Sequence, residues 1–319
     1  MFPSTPFDVA FETIGSCNLS CTYCYAKPFD GGLPSQSDLE FLFRKTQKEA
    51  APFKATIEGG EPFLRKDIID LLLIAKDTLA NVGVVTNGTF LSKLSIEQLK
   101  GLKAFCDGVP CIQVSLDSIN QSVNDSTRGL TSQTISGLNI LDESGIPFSI
   151  GMVLTRLNNN DVPNTVKSLV SRYRHLRHVH LMSVMPAQEL GSGWLSLRLG
   201  RESLIATAEA VTNSLQSLDS DVTLTEPYGR ECDFGDTMLD HMGLNSCTAG
   251  ILRAVVLTNG DVIPCEMTRN VRVGNLYVQS WAEIWSHSVG QRMTSRMDGG
   301  LCFSTNLPRN ADSIRTEIP

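Results

Sequence analysis

Three cysteines fall within one short segment, Cys17, Cys21 and Cys24, in the spacing C-x3-C-x2-C. Three thiolates on one loop match three irons of a cubane iron–sulfur cluster, and the fourth iron then lacks a protein ligand and is open to a small molecule. Two other readings stand beside this one: a zinc loop, and three incidental cysteines. Zinc wants a fourth Cys or His at finger-like spacing, and the nearest histidine in sequence is His175. The chain has nine cysteines, an odd number clustered toward one end, which does not suit a disulfide framework. In a reducing compartment such residues read as thiolate metal ligands.

A second set follows late in the chain. Cys247 and Cys265 frame the pattern Cys247-x12-Gly260-x4-Cys265, with Cys232 before it and Cys302 after it. Ala254 to Leu257 and Asp261 to Ile263 flank Asn259-Gly260, a hairpin signal in which Gly260 supplies a positive φ and brings the two thiols together. Gly274-Asn275-Leu276 and a helical stretch with Trp281 and Trp285 come next. Cys106 and Cys111 flank the start of a strand and read as structural.

The elements that must position these residues alternate. Strands are expected at Phe7 to Thr13, Ala55 to Glu58, Val82 to Thr86, Ile112 to Leu116, Phe148 to Leu154 and His178 to Val184. Amphipathic segments such as Ser37 to Glu49, Lys66 to Thr78, Ser95 to Leu102 and Thr134 to Ser144 lie between them. Six such units predict a parallel sheet with right-handed crossovers, a partial (β/α)6 barrel resembling a TIM barrel, with its site at the strands' C-terminal ends. The motifs sit at that rim: the cysteine loop after the first strand, Gly59-Gly60-Glu61-Pro62 after the second, Asn87 after the third, Asp117 after the fourth. The pattern changes beyond Pro227, so residues 1–228 are expected to form the barrel and 229–319 a small cluster-binding extension.

The C-x3-C-x2-C loop, with an aromatic before its last cysteine, resembles the radical S-adenosylmethionine superfamily. The resemblance implies a [4Fe–4S] cluster on Cys17, Cys21 and Cys24 whose open iron binds S-adenosylmethionine, cleaved on reduction to a 5′-deoxyadenosyl radical that abstracts a substrate hydrogen. It implies that Tyr23 lies against the adenine, and that the backbone and glutamate of Gly59-Gly60-Glu61-Pro62 bind the methionine amino group. Ser115 and Asp117 resemble a ribose-contacting strand end, Arg128 an arginine that pairs with the methionine carboxylate, and Asn87 a ribose or substrate contact. The later cysteines resemble the SPASM/Twitch extension of a subgroup, but only Cys302 follows Cys265. The ligands for two auxiliary clusters are therefore lacking, and one Twitch-like [4Fe–4S] cluster is expected, held by Cys247, Cys265 and Cys302, with Cys232 the candidate fourth ligand.

Glu12 and Glu58 end the first two strands facing the expected pocket, and Glu189 follows the sixth; each is a candidate to take a substrate proton or bind an amine. His175, His178 and His180 stand beside Arg172, Arg174 and Arg177, which disfavours a cation site and favours a strand-end role. The net charge is −7 and no basic tract appears, against nucleic acid or an anionic membrane as the main partner. No secretory signal or spanning segment is visible, so a soluble cytoplasmic enzyme is expected.

Two substrate classes remain. The resemblance implies peptide modification: a crosslink, epimerisation or oxidation in a ribosomally made precursor, in natural product biosynthesis. The first strand begins about ten residues from Met1, so a separate leader-peptide-binding protein would serve recognition. The alternative is a dehydrogenase, epimerase or decarboxylase acting on a sugar or nucleoside. A non-catalytic iron–sulfur scaffold is a third reading, opposed by the intact cysteine loop, Glu61 and Arg128. An electron donor such as flavodoxin or ferredoxin is the implied partner of the enzyme.

Overall fold

The computed structural model describes residues 4–27, 31–185, 193–216, 218, 220–225 and 249–288. Six strand–helix units follow in order: β1 (Asp8–Glu12) and α1 (Gln36–Glu49), β2 (Lys54–Glu58) and α2 (Ile68–Thr78), β3 (Val82–Thr86) and α3 (Ile96–Cys106). Then come β4 (Ile112–Ser115) with α4 (Gln121–Thr127) and α5 (Thr131–Glu143), β5 (Phe148–Leu154) with α6 (Val162–Arg172), and β6 (Leu176–Ser183) with α7 (Gly193–Leu197) and α8 (Arg201–Gln216). Four short strands complete the described chain: β7 (Thr223–Thr225), β8 (Arg253–Val256), β9 (Asp261–Ile263) and β10 (Gly274–Asn275). All six expected strands are present, each end within two residues of its expected place.

The described strands form one sheet in the order β10-β9-β8-β1-β2-β3-β4-β5-β6-β7. From β8 to β7 every pairing is parallel, and β9 and β10 pair antiparallel. Alternation along each strand decides which face meets the helices. Val9, Phe11, Ala55, Ile57, Val84, Ile112, Val114, Ile150 and Met152 share one apolar core with Leu39, Phe43, Leu71, Leu102, Leu138 and Val166 of the helices. The other face carries Asp8, Glu12 and Glu58 and a small cluster of Ala10, Val255, Leu257 and Ile263. Helices on one face and polar groups on the other make the six-unit partial barrel that the sequence predicts.

The expected domain boundary near residue 228 lies outside the described residues. Beyond it, the chain rejoins the first sheet. β8 lies parallel to β1, with Asp8 opposite Arg253 and Phe11 opposite Val256. Trp281 and Trp285 are fully buried in the same core as the barrel helices. Trp281 Nε1 donates to Thr46 Oγ1 at 3.0 Å and its backbone N–H to Glu49 Oε2 at 2.9 Å, fastening the helical residues 281–288 to α1. No described helix is long and apolar enough to cross a membrane.

Candidate active site

The loop after β1 is fixed from three sides, each a strand end. On the β2 side, Gly60 N–H donates to Ile14 O at 2.7 Å and Glu61 N–H to Ser16 O at 2.9 Å. Here two glycines are a packing necessity. A Cβ on Gly59 (φ +140°) would stand 2.4 Å from Ile14 O, and one on Gly60 would stand 2.0 Å from Ser16 O and 2.9 Å from Cys17 N. Only a bare Cα lets the two backbones approach this closely. Buried Arg65 reaches Thr13 O and Pro34 O, near the two ends of the loop, at 2.9 and 2.8 Å.

On the β3 side, Asn87 Nδ2 donates to Asn18 Oδ1 at 2.9 Å and lies 3.9 Å from Cys17 Sγ, and Asn18 Nδ2 donates to Thr89 Oγ1 at 3.0 Å. On the β4 side, Thr22 N–H donates to Thr127 O at 2.9 Å, and the Arg128 guanidinium covers the Tyr23 ring at 5.2 Å. Lys27 Nζ donates to Cys21 O at 2.8 Å, and Leu19 N–H points at Cys17 Sγ from 3.4 Å.

Two of the expected cofactor contacts also accept from protein donors. The Glu61 carboxylate accepts from Phe63 N–H (3.0 Å), Thr86 Oγ1 (2.7 Å) and Asn87 N–H (2.7 Å), and so staples the β2 loop to the end of β3. Burial raises its pKa to about 6 in spite of those donors. Pro62 is buried and opens the short turn that Glu61 caps. The fully buried Asp117 carboxylate accepts from the Tyr23 hydroxyl, from Arg128 Nε at 3.0 Å and from Val153 N–H at 3.0 Å. Asp117 thus holds Tyr23 and Arg128 in place. Ser115, the last residue of β4, is half-buried on the face away from the described helices.

Beyond the rim, Glu12 is 2% exposed and paired with both terminal nitrogens of Arg269. Arg253 binds Asp8 Oδ2 at 2.6 Å and also Glu266. Neither arginine was singled out in the sequence, because each lies about 250 residues from its partner and no local pattern joins them. Glu189, Cys232, Cys247 and Cys302 lie outside the described residues. Cys265 is half-buried after β9, with Met267 N–H 3.4 Å from its Sγ. Gly260 has φ +80° in the β8–β9 turn, as the hairpin signal requires. Cys106 and Cys111 are free thiols in mutual contact, at the end of the sheet away from the cysteine loop. His178 sits between Thr223 and Thr225 of β7, with ring-nitrogen distances of 2.6 and 2.9 Å.

Residues 11–169 match the radical SAM superfamily, and residues 247–304 match the iron–sulfur cluster-binding domain SPASM. The chain belongs to the radical SAM superfamily. It is 25% identical over 300 residues to the sporulation killing factor maturation protein SkfB of Bacillus subtilis strain 168, covering 88% of this chain and 65% of SkfB. It is 26% identical over 300 residues to the PqqA peptide cyclase of Xanthomonas axonopodis pv. citri strain 306, covering 88% and 74%. In fold it resembles Streptococcus suis SuiB bound to its precursor peptide SuiA, with a TM-score of 0.71 at 16% identity over 89% of this chain and 65% of that one. The chain therefore spans about two-thirds of the length of SkfB and SuiB.

A radical SAM domain followed by a SPASM domain implies a [4Fe–4S] cluster, S-adenosylmethionine and an auxiliary iron–sulfur cluster. The donors of the N-terminal loop fit the first of these. Cys17, Cys21 and Cys24 are free and part-exposed. Among the described residues no three His, Cys, Asp or Glu side chains converge on one point as a single metal ion requires. A cubane instead takes each thiolate on a different iron. Burial pushes all three thiols up, Cys17 to about 11, so protons must leave them when iron binds.

Proposed function

We propose that this chain is a radical S-adenosylmethionine enzyme that modifies a ribosomally made peptide by crosslinking, epimerisation or oxidation. The observation that carries this reading is the extent of the likeness. The matches to SkfB and to the PqqA peptide cyclase run through 88% of this chain, across the barrel and into the cluster-binding extension, and the second is named for work on a peptide.

In this reading Cys17, Cys21 and Cys24 hold the first cluster, which with S-adenosylmethionine supplies a one-electron cleavage and a carbon radical that abstracts a substrate hydrogen. The protein's part is to orient and to exclude water. Gly59 and Gly60 press the β2 loop against the cysteine loop, and in this reading the backbone carbonyls of that turn and the Glu61 carboxylate accept from the methionine amino group. Arg128, fixed by Asp117, offers its remaining guanidinium donors to a carboxylate, and Tyr23 beneath it offers a ring face to the adenine. Ser115 and Asn87 border the same rim. Cys265, with Cys247 and Cys302 and with Cys232 in fourth place, holds the auxiliary cluster. A flavodoxin or ferredoxin supplies the electron, a separate protein binds the precursor's leader, and the reaction takes place in the cytoplasm.

Co-expression with each short open reading frame beside the gene tests the reading. Mass spectrometry of the peptide should find the loss of two hydrogens for a crosslink or oxidation, or one deuteron gained from D2O for an epimerisation. Unchanged peptides from every neighbouring frame, alongside intact clusters, would overturn it.

A further inference from the structure

Glu58 is the last residue of β2, directly before Gly59, and the strand register sets it level with Glu12. Ala55 and Ile57 lie in the core against the helices, so Glu58 faces the other way, away from the described helices. It is 7% exposed, and its Oε1 is buried with no hydrogen-bond partner among the described residues. Buried carboxyl oxygens without a protein donor are rare in folded proteins, and each is a place for a water, an ion or a ligand group.

The charged neighbours define what that partner is. Arg253 is close enough to act on Glu58, yet its ion pairs go to Asp8 and Glu266. Arg269 is paired with Glu12. Neither pair includes Glu58. Burial first, and then the Glu266 carboxylate, push the Glu58 carboxyl well above the usual range. A buried carboxylate whose oxygen lacks a donor repels an anion and draws a cation. A neutral donor would satisfy the oxygen and leave the charge of the carboxylate itself unpaired.

We propose that Glu58 receives an organic cation of the substrate, a lysine ammonium or an arginine guanidinium, at the edge of the Cys17–Cys24 loop. This specificity rests on the peptide reading for the source of the cation. Held there, the cation lies at the residue that precedes Gly59 and Gly60, whose backbones touch the loop at Ile14 and Ser16.

Equilibrium dialysis tests this without a peptide. The anaerobically reconstituted protein, saturated with S-adenosylmethionine, is dialysed against radiolabelled n-butylammonium and, separately, against the neutral isostere 1-butanol. The wild type should take up one equivalent of n-butylammonium, and bind 1-butanol at least about tenfold more weakly. Glu58→Gln should lose at least about tenfold in ammonium affinity, and Glu58→Asp should keep part of it. No saturable ammonium uptake up to about 20 mM, equal binding of the alcohol, or undiminished binding by Glu58→Gln would overturn the assignment. If Glu58→Gln does not load iron, the wild-type comparison of ammonium with alcohol decides alone. Ammonium binding without any peptide modified leaves Glu58 its role and removes the peptide; peptide modification without ammonium binding does the reverse.

Discussion

Around the Cys17–Cys24 loop the tightest restraints are backbone contacts and amide hydrogen bonds from the ends of β2 and β3, with Arg65, Lys27 and the Asp117–Arg128 pair beside them. Around the Cys265 loop they are ion pairs that bring residues about 250 apart together, Arg269 with Glu12 and Arg253 with Asp8. The first kind depends on shape: a single extra carbon breaks it. The second depends on charge balance in a buried place: removing one partner strands the other, whereas removing both is tolerated. The N-terminal site is thus intolerant of volume and the C-terminal junction intolerant of unpaired charge.

The largest effect should come from volume. Gly60→Ala places a Cβ where Ser16 O stands, at 2.0 Å, and the cysteine loop has to move. Iron bound to that loop should fall below about a tenth of the wild-type amount, while Gly200→Ala, with open space around it, should load normally. Iron analysis and EPR of the two reconstituted variants make the comparison.

Charge comes next. Arg269→Leu leaves the Glu12 carboxylate buried without its guanidinium and should cost about 3–5 kcal/mol in urea unfolding, and Glu12→Leu combined with it should restore most of that loss. A double variant as unstable as the single one would mean that the arginine matters for something other than this pair.

Glu61 gives a pH signature that belongs to the rim alone. Its carboxyl is raised from 4.5 to about 6 by burial, so the native state holds the proton more tightly than the unfolded chain. The stability this contributes is complete below pH 4.5 and is lost as pH rises through about 6. The stability difference between wild type and Glu61→Gln should therefore shift by about 2 kcal/mol toward the variant from about pH 4 to pH 7. A flat difference would show that the folded carboxyl titrates as it does in the unfolded chain.

Tyr23→Phe should be mildest. It removes the hydroxyl that donates to Asp117 but keeps the ring under Arg128, and should cost about 1.5 kcal/mol in urea unfolding. A loss as large as that of Arg269→Leu would mean that Asp117 cannot keep Arg128 in place without it.

The same contrast explains what the sequence disclosed. Cys17, Cys21 and Cys24 carry their chemistry in their spacing, and the β-rich runs of the six strands alternate with helical periods, so both were legible. Gly59 and Gly60 were legible as a motif, but the backbone they press against was not. α4 was missed because Gln121–Thr127 has a single apolar residue, Val123, and α6 because Pro163 obscures its start. The pairing of β8 with β1 joins segments about 245 residues apart, and no periodicity records it. Arg253, Arg269 and Glu266 were overlooked for the same reason: each reads as an exposed charge until the sheet folds them against β1. The carboxylates of Glu61 and Asp117 were expected to meet the cofactor, and the structure gives each three protein donors, which local sequence does not encode.

The central claim is that the loop fastened by those contacts starts radical chemistry. Its most direct test is release of 5′-deoxyadenosine from S-adenosylmethionine and dithionite by the anaerobically reconstituted protein. The wild type, with about eight irons, should release it, and the triple variant Cys17→Ala, Cys21→Ala, Cys24→Ala should release none while keeping about four. A fully loaded wild type that releases no 5′-deoxyadenosine, or a triple variant that still does, would contradict the account.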